Sequence, residues 1–386
     1  MSEVFVIAQG GGPTAVINQT IAGAALEARR RFPGSRVLGA RFGIRGVRDN
    51  DFVDLSAMTE AEILRIGATP GATLGSTRDK PDGDYCGLIV DGLRRASATA
   101  FIYIGGNDTA GTQQILAEAD DRIAFIHAPK TIDNDLVGND HTPGFISAAW
   151  FVASAFRSID LDVRAMPGIY VGIVMGRHAG FLTASGATWR RDESDGPHIL
   201  CLPEHPFSLD GFLAAIDETR SRFGRCVVAM SEGVADAEGR PLVESLLGER
   251  AERDAHGNLR LGGGDLGVAM QEAIARAFPK VRARVDTFGY LPRGFATMIA
   301  EADSREAFEA GAFAVAIVRD GAASVALGHD GEKTVFERVP LADVAGKTRL
   351  MPDEFSEPER SSLSAGGRAY FSRLLPAPPE IAPPLV

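Results

Sequence analysis

Cysteine is nearly absent: Cys86, Cys201 and Cys226 are the three in 386 residues, widely spaced and without a CxxC pair. This excludes a disulfide framework or a cysteine-based zinc site and reads as reduced thiols in a cytosolic protein. Histidine offers no substitute, because His127 and His141 show neither an HExxH motif nor paired ligand spacing. Long apolar runs are missing as well. None reaches about 18 residues without a charge, so nothing is expected to span a bilayer. The opening Met1-Ser2-Glu3-Val4-Phe5-Val6-Ile7 lacks the basic n-region of a signal peptide, which points to the cytoplasm. Positive charge is in deficit, with 40 Lys and Arg against 51 Asp and Glu and a net charge of −11. That balance argues against nucleic acid or an anionic membrane as the main partner. It leaves small phosphates open, since these need only a few local cations. There is no repeat at a solenoid period.

Glycine, by contrast, is plentiful at 44 residues, and many glycines follow apolar runs. Val4–Ala8 reads as a strand closed by Gly10-Gly11-Gly12-Pro13, and Ala15–Arg31 as a helix with Arg29, Arg30 and Arg31 in its last turn, where cations suit the helix dipole. The alternation continues with a strand over 100–104, a helix over 110–119, a strand over 123–128, a helix over 147–159 and a strand over 169–175. A strand over 226–231 and helices over 266–278 and 304–318 follow. Strands alternating with helices predict a mostly parallel sheet with helices on both faces, and binding residues then gather at the carboxyl ends of the strands. The charged stretch Ala237–Leu261 reads as a helical excursion and hairpin outside the core. The tail from Leu375 carries Pro376, Pro378, Pro379, Pro383 and Pro384 and cannot be regular helix or central strand.

Several strand-end loops combine chemistry-bearing side chains. Gly10–Gly12 either cradles a phosphate or makes a tight turn; it fits neither GxGxxG nor GxxxxGK[ST]. Gly71-Ala72-Thr73-Leu74-Gly75-Ser76-Thr77-Arg78 offers hydroxyls and an arginine fork suited to phosphate, or is a surface turn ending in a solvated Arg. Gly105-Gly106-Asn107-Asp108-Thr109 places a carboxylate where an anion would be welcome. That favours a cation or discrimination against one phosphate, unless Asn and Asp serve only as turn and cap residues. In Pro129-Lys130-Thr131-Ile132-Asp133-Asn134-Asp135 a cation, a hydroxyl and two carboxylates share one loop. A carboxylate can deprotonate an attacking hydroxyl and a lysine can neutralise a transferring phosphoryl group. Met175-Gly176-Arg177-His178-Ala179-Gly180, Glu232, Arg284 and Gly289-Tyr290-Leu291-Pro292-Arg293-Gly294 complete the set.

In this order, from Gly10 to about Gly294, these segments resemble the phosphofructokinase family. The resemblance implies an α/β chain of two phosphofructokinase-like domains, each a mostly parallel sheet flanked by helices, with the active site in the cleft between them. Residues 1–146 plus about 291–335 would hold the phosphoryl donor, and 147–290 plus about 336–386 the sugar phosphate. It implies a phosphoryl transfer to the 1-hydroxyl of fructose 6-phosphate with Mg²⁺, by a homodimer or homotetramer. Asp133 would be the base. Thr131, Ile132, Met175, Gly176, Arg177 and Glu232 would contact the sugar, and Arg284, Tyr290 and Arg293 would grip its 6-phosphate. Gly11, Arg78 and Lys130 would bind the donor.

Asp108 and Lys130 occupy positions that are glycine in the ATP-dependent branch. Filled, they imply pyrophosphate as donor: Asp108 would repel a nucleotide's α-phosphate, and Lys130 would stabilise the leaving group. Ile44, where ATP users often carry an aromatic, agrees. An ATP-dependent enzyme and a non-catalytic phosphosugar-binding protein are the alternatives. The chain also departs from the family. Asn107 replaces a usual metal-holding Asp, so either its carbonyl binds the metal or Asp108, Asp133 or Asp135 carries more of that work. Ala15-Val16 and Phe295 replace usual Pro-Gly and Gly, and Gly168 stands where many relatives lend an arginine across subunits.

Overall fold

The computed structural model describes residues 3–248, 265–331, 333–358 and 361–382. The described strands are β1 (Val4–Gln9), β2 (Arg36–Ala40), β3 (Phe52–Asp54), β4 (Ala100–Gly105), β5 (Ala124–Pro129), β6 (Ile169–Val174) and β7 (Ile199–Cys201). After them come β8 (Cys226–Ser231), β9 (Ala283–Thr287), β10 (Ala323–His329), β11 (Thr334–Val339), β12 (Ser356–Glu357) and β13 (Ser362–Leu363). Between them run the helices α1 (Ile17–Arg31), α2 (Ile44–Asp49), α3 (Glu60–Gly67), α4 (Gly83–Arg95), α5 (Asn107–Ala119) and α6 (Phe145–Ala165). The chain continues through α7 (Phe181–Ser185), α8 (Leu209–Phe223), α9 (Leu242–Leu247), α10 (Asp265–Ala277) and α11 (Glu301–Ala316).

Two compact units divide the chain. Unit 1 is Met1–Ala148 with Arg293–Arg349, and unit 2 is Ala149–Pro292 with Leu350–Val386. Unit 1 therefore runs past residue 335 to Arg349, because β11 pairs antiparallel with β10 across the register Ser324↔Val339 to His329↔Thr334.

Unit 1 holds a seven-stranded sheet in the order β11-β10-β5-β4-β1-β2-β3. Its centre is parallel, and β2/β3 and β10/β11 are antiparallel at the edges. β1 shows why the centre reads as a continuous apolar run. Phe5 and Ile7 pack into one core, and Val4, Val6 and Ala8 into another, so the period-2 alternation serves two buried faces. The chain leaves β1 toward β2 and later fills β4 and β5 on the other side. The loops after β1 and β4 thus flank the point where strand order reverses, the usual ligand crevice of such sheets.

The core on the first face is closed by α1, whose Ile17, Ile21, Ala24, Ala25 and Ala28 recur at helical spacing and are buried. α1 crosses α11 at Gly23 and Gly311. A Cβ on Gly23 would stand 1.9 Å from the Phe308 carbonyl oxygen, and one on Gly311 would stand 2.1 Å from that of Thr20.

Unit 2 is built on a four-stranded parallel sheet in the order β7-β8-β6-β9. Its core gathers Ile169, Val171 and Ile173 of β6, Val228 and Met230 of β8, and Phe212, Ile216, Met270 and Ile274 of the helices. Here the strand order reverses around β6 and β8, and the loops after these two strands carry Met175, Gly176, Arg177 and Glu232, while Arg284 lies on β9 and Tyr290 just beyond it. The expected excursion at 237–261 contains α9 and, just before it, a turn closed by the antiparallel bridge Ala235↔Pro241; its residues 249–261 lie outside the described residues, as do Pro383 and Pro384 of the tail.

Candidate active site

The turn after β1 is shaped by close approach. Gly10 donates its N–H to the Ile104 carbonyl at 2.8 Å, and a Cβ there would lie 2.8 Å from both Thr109 Oγ1 and the Tyr103 hydroxyl. Gly11 takes φ +74, the left-handed region that favours glycine. Its N–H donates to the Thr77 carbonyl at 2.9 Å, and Ser76 Oγ donates to the Gly11 carbonyl at 2.7 Å. These bonds join the triglycine turn to the 71–78 loop. Asn18, one helical turn behind, fixes the same loop: its Nδ2 donates to the Thr69 carbonyl at 2.7 Å and its Oδ1 accepts the Thr73 N–H at 3.1 Å.

Arg78 itself is exposed, but its neighbour is tied down. Asp79 accepts two hydrogen bonds from Arg45 of α2, at 2.8 and 2.6 Å, and one from the Tyr85 hydroxyl of α4 at 2.9 Å. Its carboxyl is held far below the usual range, chiefly by Arg45. Asp79 thus sets the course of the backbone that carries Arg78.

Lys130 is 4% exposed. Its N–H donates to the Gly105 carbonyl at 3.0 Å, and its amine donates to the Gly12 carbonyl at 2.8 Å. Burial, reinforced by the positive charges of Arg293 and Arg78, pulls its pKa down to about 7. Arg293 lies in unit 1, its guanidinium carbon 3.0 Å from where a Gly12 Cβ would sit. Three cations therefore converge on a turn that presents only backbone. His127, wholly buried beneath, places Nε2 2.9 Å from the Gly105 carbonyl and Nδ1 2.7 Å from Ser324 Oγ. Burial drops its pKa to about 4, so the neutral ring props the strand end without adding charge.

The carboxylates sit in the same unit. Asp133 N–H donates to Thr131 Oγ1 at 3.0 Å, and Asn134 beside it takes φ +58, which turns the loop at that point. Ile132 is buried and anchors the loop. Asn107 Nδ2 donates to Asp135 Oδ2 at 3.2 Å, and its Oδ1 is buried with no hydrogen-bond partner. An orphaned amide oxygen beside a carboxylate suits a hard cation that takes most of its ligands from phosphate and water. Among the described residues no group of three or more His, Cys, Asp and Glu could hold a metal ion unaided. Asp108, in the first turn of α5, is strongly exposed and ion-paired with Lys80 at 3.1 Å. The Lys80 contact was not read from the sequence, although its place two residues after Arg78 in a donor-type loop was the available signal.

In unit 2 the loops after β6 and β8 meet. Ser231 Oγ donates to the Gly176 carbonyl at 2.5 Å and accepts the Gly233 N–H at 3.0 Å. Glu232 N–H donates to the Val174 carbonyl at 2.9 Å, so Glu232 and the Met175–Arg177 turn are held together. Met175 is buried, Arg177 is exposed, and Gly176 takes φ +139. The loop's far end is fixed by Glu204, whose Oε1 accepts the N–H groups of Gly180 at 2.8 Å and Met351 at 2.9 Å. Arg284 lies exposed on β9 in register with Tyr170, and Tyr290 is exposed beyond that strand.

With the geometry in place, residues 4–318 match the phosphofructokinase family. The chain belongs to that family. The pyrophosphate–fructose 6-phosphate 1-phosphotransferase of Rhodospirillum rubrum is 48% identical over 96% of this chain and 93% of its own length. The enzyme of the same name from Xanthomonas campestris is 33% identical over 96% and 91%. A crystal structure of a pyrophosphate-dependent phosphofructokinase from Marinobacter aquaeolei superposes with a TM-score of 0.85 at 27% identity, covering 100% of this chain and 94% of that one. No described helix is long and apolar enough to cross a membrane.

Proposed function

We propose that this phosphofructokinase transfers a phosphoryl group reversibly from pyrophosphate to the 1-hydroxyl of fructose 6-phosphate, giving fructose 1,6-bisphosphate and phosphate. The observation that carries the reading is the buried Lys130 amine seated on the Gly12 carbonyl, close enough to Arg293 and Arg78 to feel both charges. Burial and the charges of Arg293 and Arg78 disfavour the charged amine more than Asp133 and Asp135 favour it, and a compact, highly charged anion bound there would tip that balance back. The 48% identical relative supports the same donor.

In this reaction Asp133 accepts the proton of the sugar's 1-hydroxyl, and the oxygen attacks the near phosphorus of pyrophosphate. The bridging P–O bond breaks, and phosphate leaves toward Lys130 and Arg78, with Gly11 allowing close approach. Arg293 stands within reach of the donor turn, so its assignment to the sugar 6-phosphate rests on resemblance alone, as do those of Arg284 and Tyr290. Thr131 orders the Asp133 backbone. Met175, Gly176, Arg177 and Glu232 supply the sugar contacts from unit 2. Mg²⁺, when bound, would neutralise phosphate charge, with Asn107 Oδ1 and the carboxylate of Asp135 as the side chains that fit it. Asp108 disfavours a nucleotide's additional phosphate by charge. By the family resemblance, we take the enzyme to be cytoplasmic and a homodimer or homotetramer.

The deciding experiment compares donors, with fructose 6-phosphate as acceptor. Turnover with pyrophosphate and Mg²⁺ and little with ATP is expected. Turnover with ATP alone would make this an ATP-dependent enzyme, and failure with both would leave a phosphosugar-binding protein.

A further inference from the structure

His141 takes no part in the chemistry above, yet it is 1% exposed and gripped at both ring nitrogens. Nδ1 lies 2.8 Å from Asp140 Oδ2, and Nε2 lies 2.7 Å from Glu306 Oε2. Each nitrogen faces a carboxylate acceptor, so satisfying both requires the doubly protonated ring. Burial opposes that charge, but the two carboxylates outweigh it and raise the pKa to about 9. Glu306 is 5% exposed and accepts a further hydrogen bond from Thr334 Oγ1 at 2.6 Å. Burial pushes Glu306 toward protonation, and the bond from His141 overrides it, leaving the carboxyl below its usual range.

A second carboxylate from the same helix grips the same segment. Asp303 lies three residues before Glu306, so both stand on one face of α11. Its Oδ1 accepts the Gly144 N–H at 2.7 Å, and its Oδ2 accepts the Ser147 N–H at 2.9 Å. The chain over 140–147 is thereby bolted to α11 at three places. That segment in turn holds the loop leading to Asp133. Thr142 Oγ1 donates to the Thr131 carbonyl at 2.9 Å, and Thr131 N–H donates to the Pro143 carbonyl at 3.3 Å. Thr131 Oγ1 receives the Asp133 N–H.

We infer that His141, Asp140 and Glu306 form a positioning clamp that fixes the Thr131 backbone through Thr142 and so aims Asp133. The inference rests on the phosphotransferase reading for its readout. A buried ion triad is a weak source of stability compared with apolar packing of the same volume. What it supplies is a fixed geometry, and a displacement of 1 Å at a reacting group can cost about 10²-fold in rate.

The test uses the full-length enzyme with Glu306→Gln and Thr142→Val, each close in shape to the native side chain. Expected is a fall in kcat of about tenfold or more in both, with KM for each substrate within about threefold, since binding contacts are untouched. The groups facing the ring are Asp140 on its own segment and Glu306 on α11, with Asp303 and Arg305 acting on Glu306. Loss of the His141 proton above about pH 9 should slacken the clamp and lower kcat, and removing the Glu306 charge should move that fall to lower pH by about one unit or more. If kcat per folded molecule stays within about twofold in both variants and the pH profile is unmoved, the network is only structural and the inference is overturned. Should Glu306→Gln fail to fold, Thr142→Val decides by itself. Activity of the wild type with pyrophosphate tests the functional reading separately, because the clamp is judged with whichever donor the wild type uses.

Discussion

The Lys130 amine donates to the Gly12 carbonyl at 2.8 Å, which seats a buried cation on the turn that ends the first strand. In water such an amine titrates near 10.5; here burial, Arg293 and Arg78 bring it to about 7. The free enzyme at neutral pH therefore holds Lys130 partly deprotonated. A bound polyanion favours the charged form, so binding is linked to proton uptake.

Pyrophosphate binding should take up protons around pH 7–8. Titration calorimetry in buffers of different ionisation enthalpy should show a buffer-dependent heat, and the affinity should weaken as pH rises from 7 to 9. A heat independent of buffer would remove Lys130 from the donor site.

Stability carries the opposite signature. The folded pKa lies below the unfolded one, so the cost of burying the charge is complete below about 7 and fades as pH climbs toward 10.5. Lys130→Met should melt at higher temperature than wild type at pH 6, with the gap shrinking by pH 9–10. The same substitution should nearly abolish turnover with pyrophosphate.

Asp133→Asn keeps the shape of the loop and removes the carboxylate proposed as the base. Loss of general-base catalysis should lower kcat by about 10²–10⁴-fold, with substrate affinity retained. Near-normal kcat in a steady-state assay would place the base elsewhere.

Asp108 and Lys80 form an exposed pair, and such pairs contribute about 0–1 kcal/mol. Lys80→Ala should leave the melting temperature nearly unchanged. Asp108→Gly combined with Lys130→Gly should cut pyrophosphate turnover by about tenfold or more while relieving the barrier to nucleotide. Undiminished pyrophosphate turnover would refute the account of donor choice.

Gly23→Ala tests the crossing of α1 and α11. The added methyl would meet a backbone oxygen at 1.9 Å that no side-chain rotation can clear. Overpacking of this kind should cost about 1–3 kcal/mol or more in denaturant unfolding.

Much of both units was legible because local signals agreed: apolar strand, glycine turn, then helix. β1, β4, β5, β6 and β8 appeared within a residue or so of expectation. β2 and β3 escaped because short strands such as Phe52–Asp54 carry too little pattern, and β10 and β11 because their pairing is a tertiary fact. The loop residues Lys130, Asp133 and Asn107 were visible as chemistry, but not the position of Arg293 beside Gly12, which no spacing along the chain reveals. His141 read as a scattered histidine for the same reason, since its decisive partner Glu306 lies 165 residues away.

The α1–α11 crossing also bears on how the molecule is made. Gln19 of α1 donates to Ser304 of α11, a partner 285 residues downstream. On a ribosome, the first helix must wait for most of the chain before its covering surface is synthesised. Its Ile17, Ile21 and Ala24 stay partly uncovered meanwhile, when aggregation is most favoured. Nascent unit 1 is thus expected to be a client of chaperones until α11 emerges, whereas the stretch 149–292 can begin to collapse earlier.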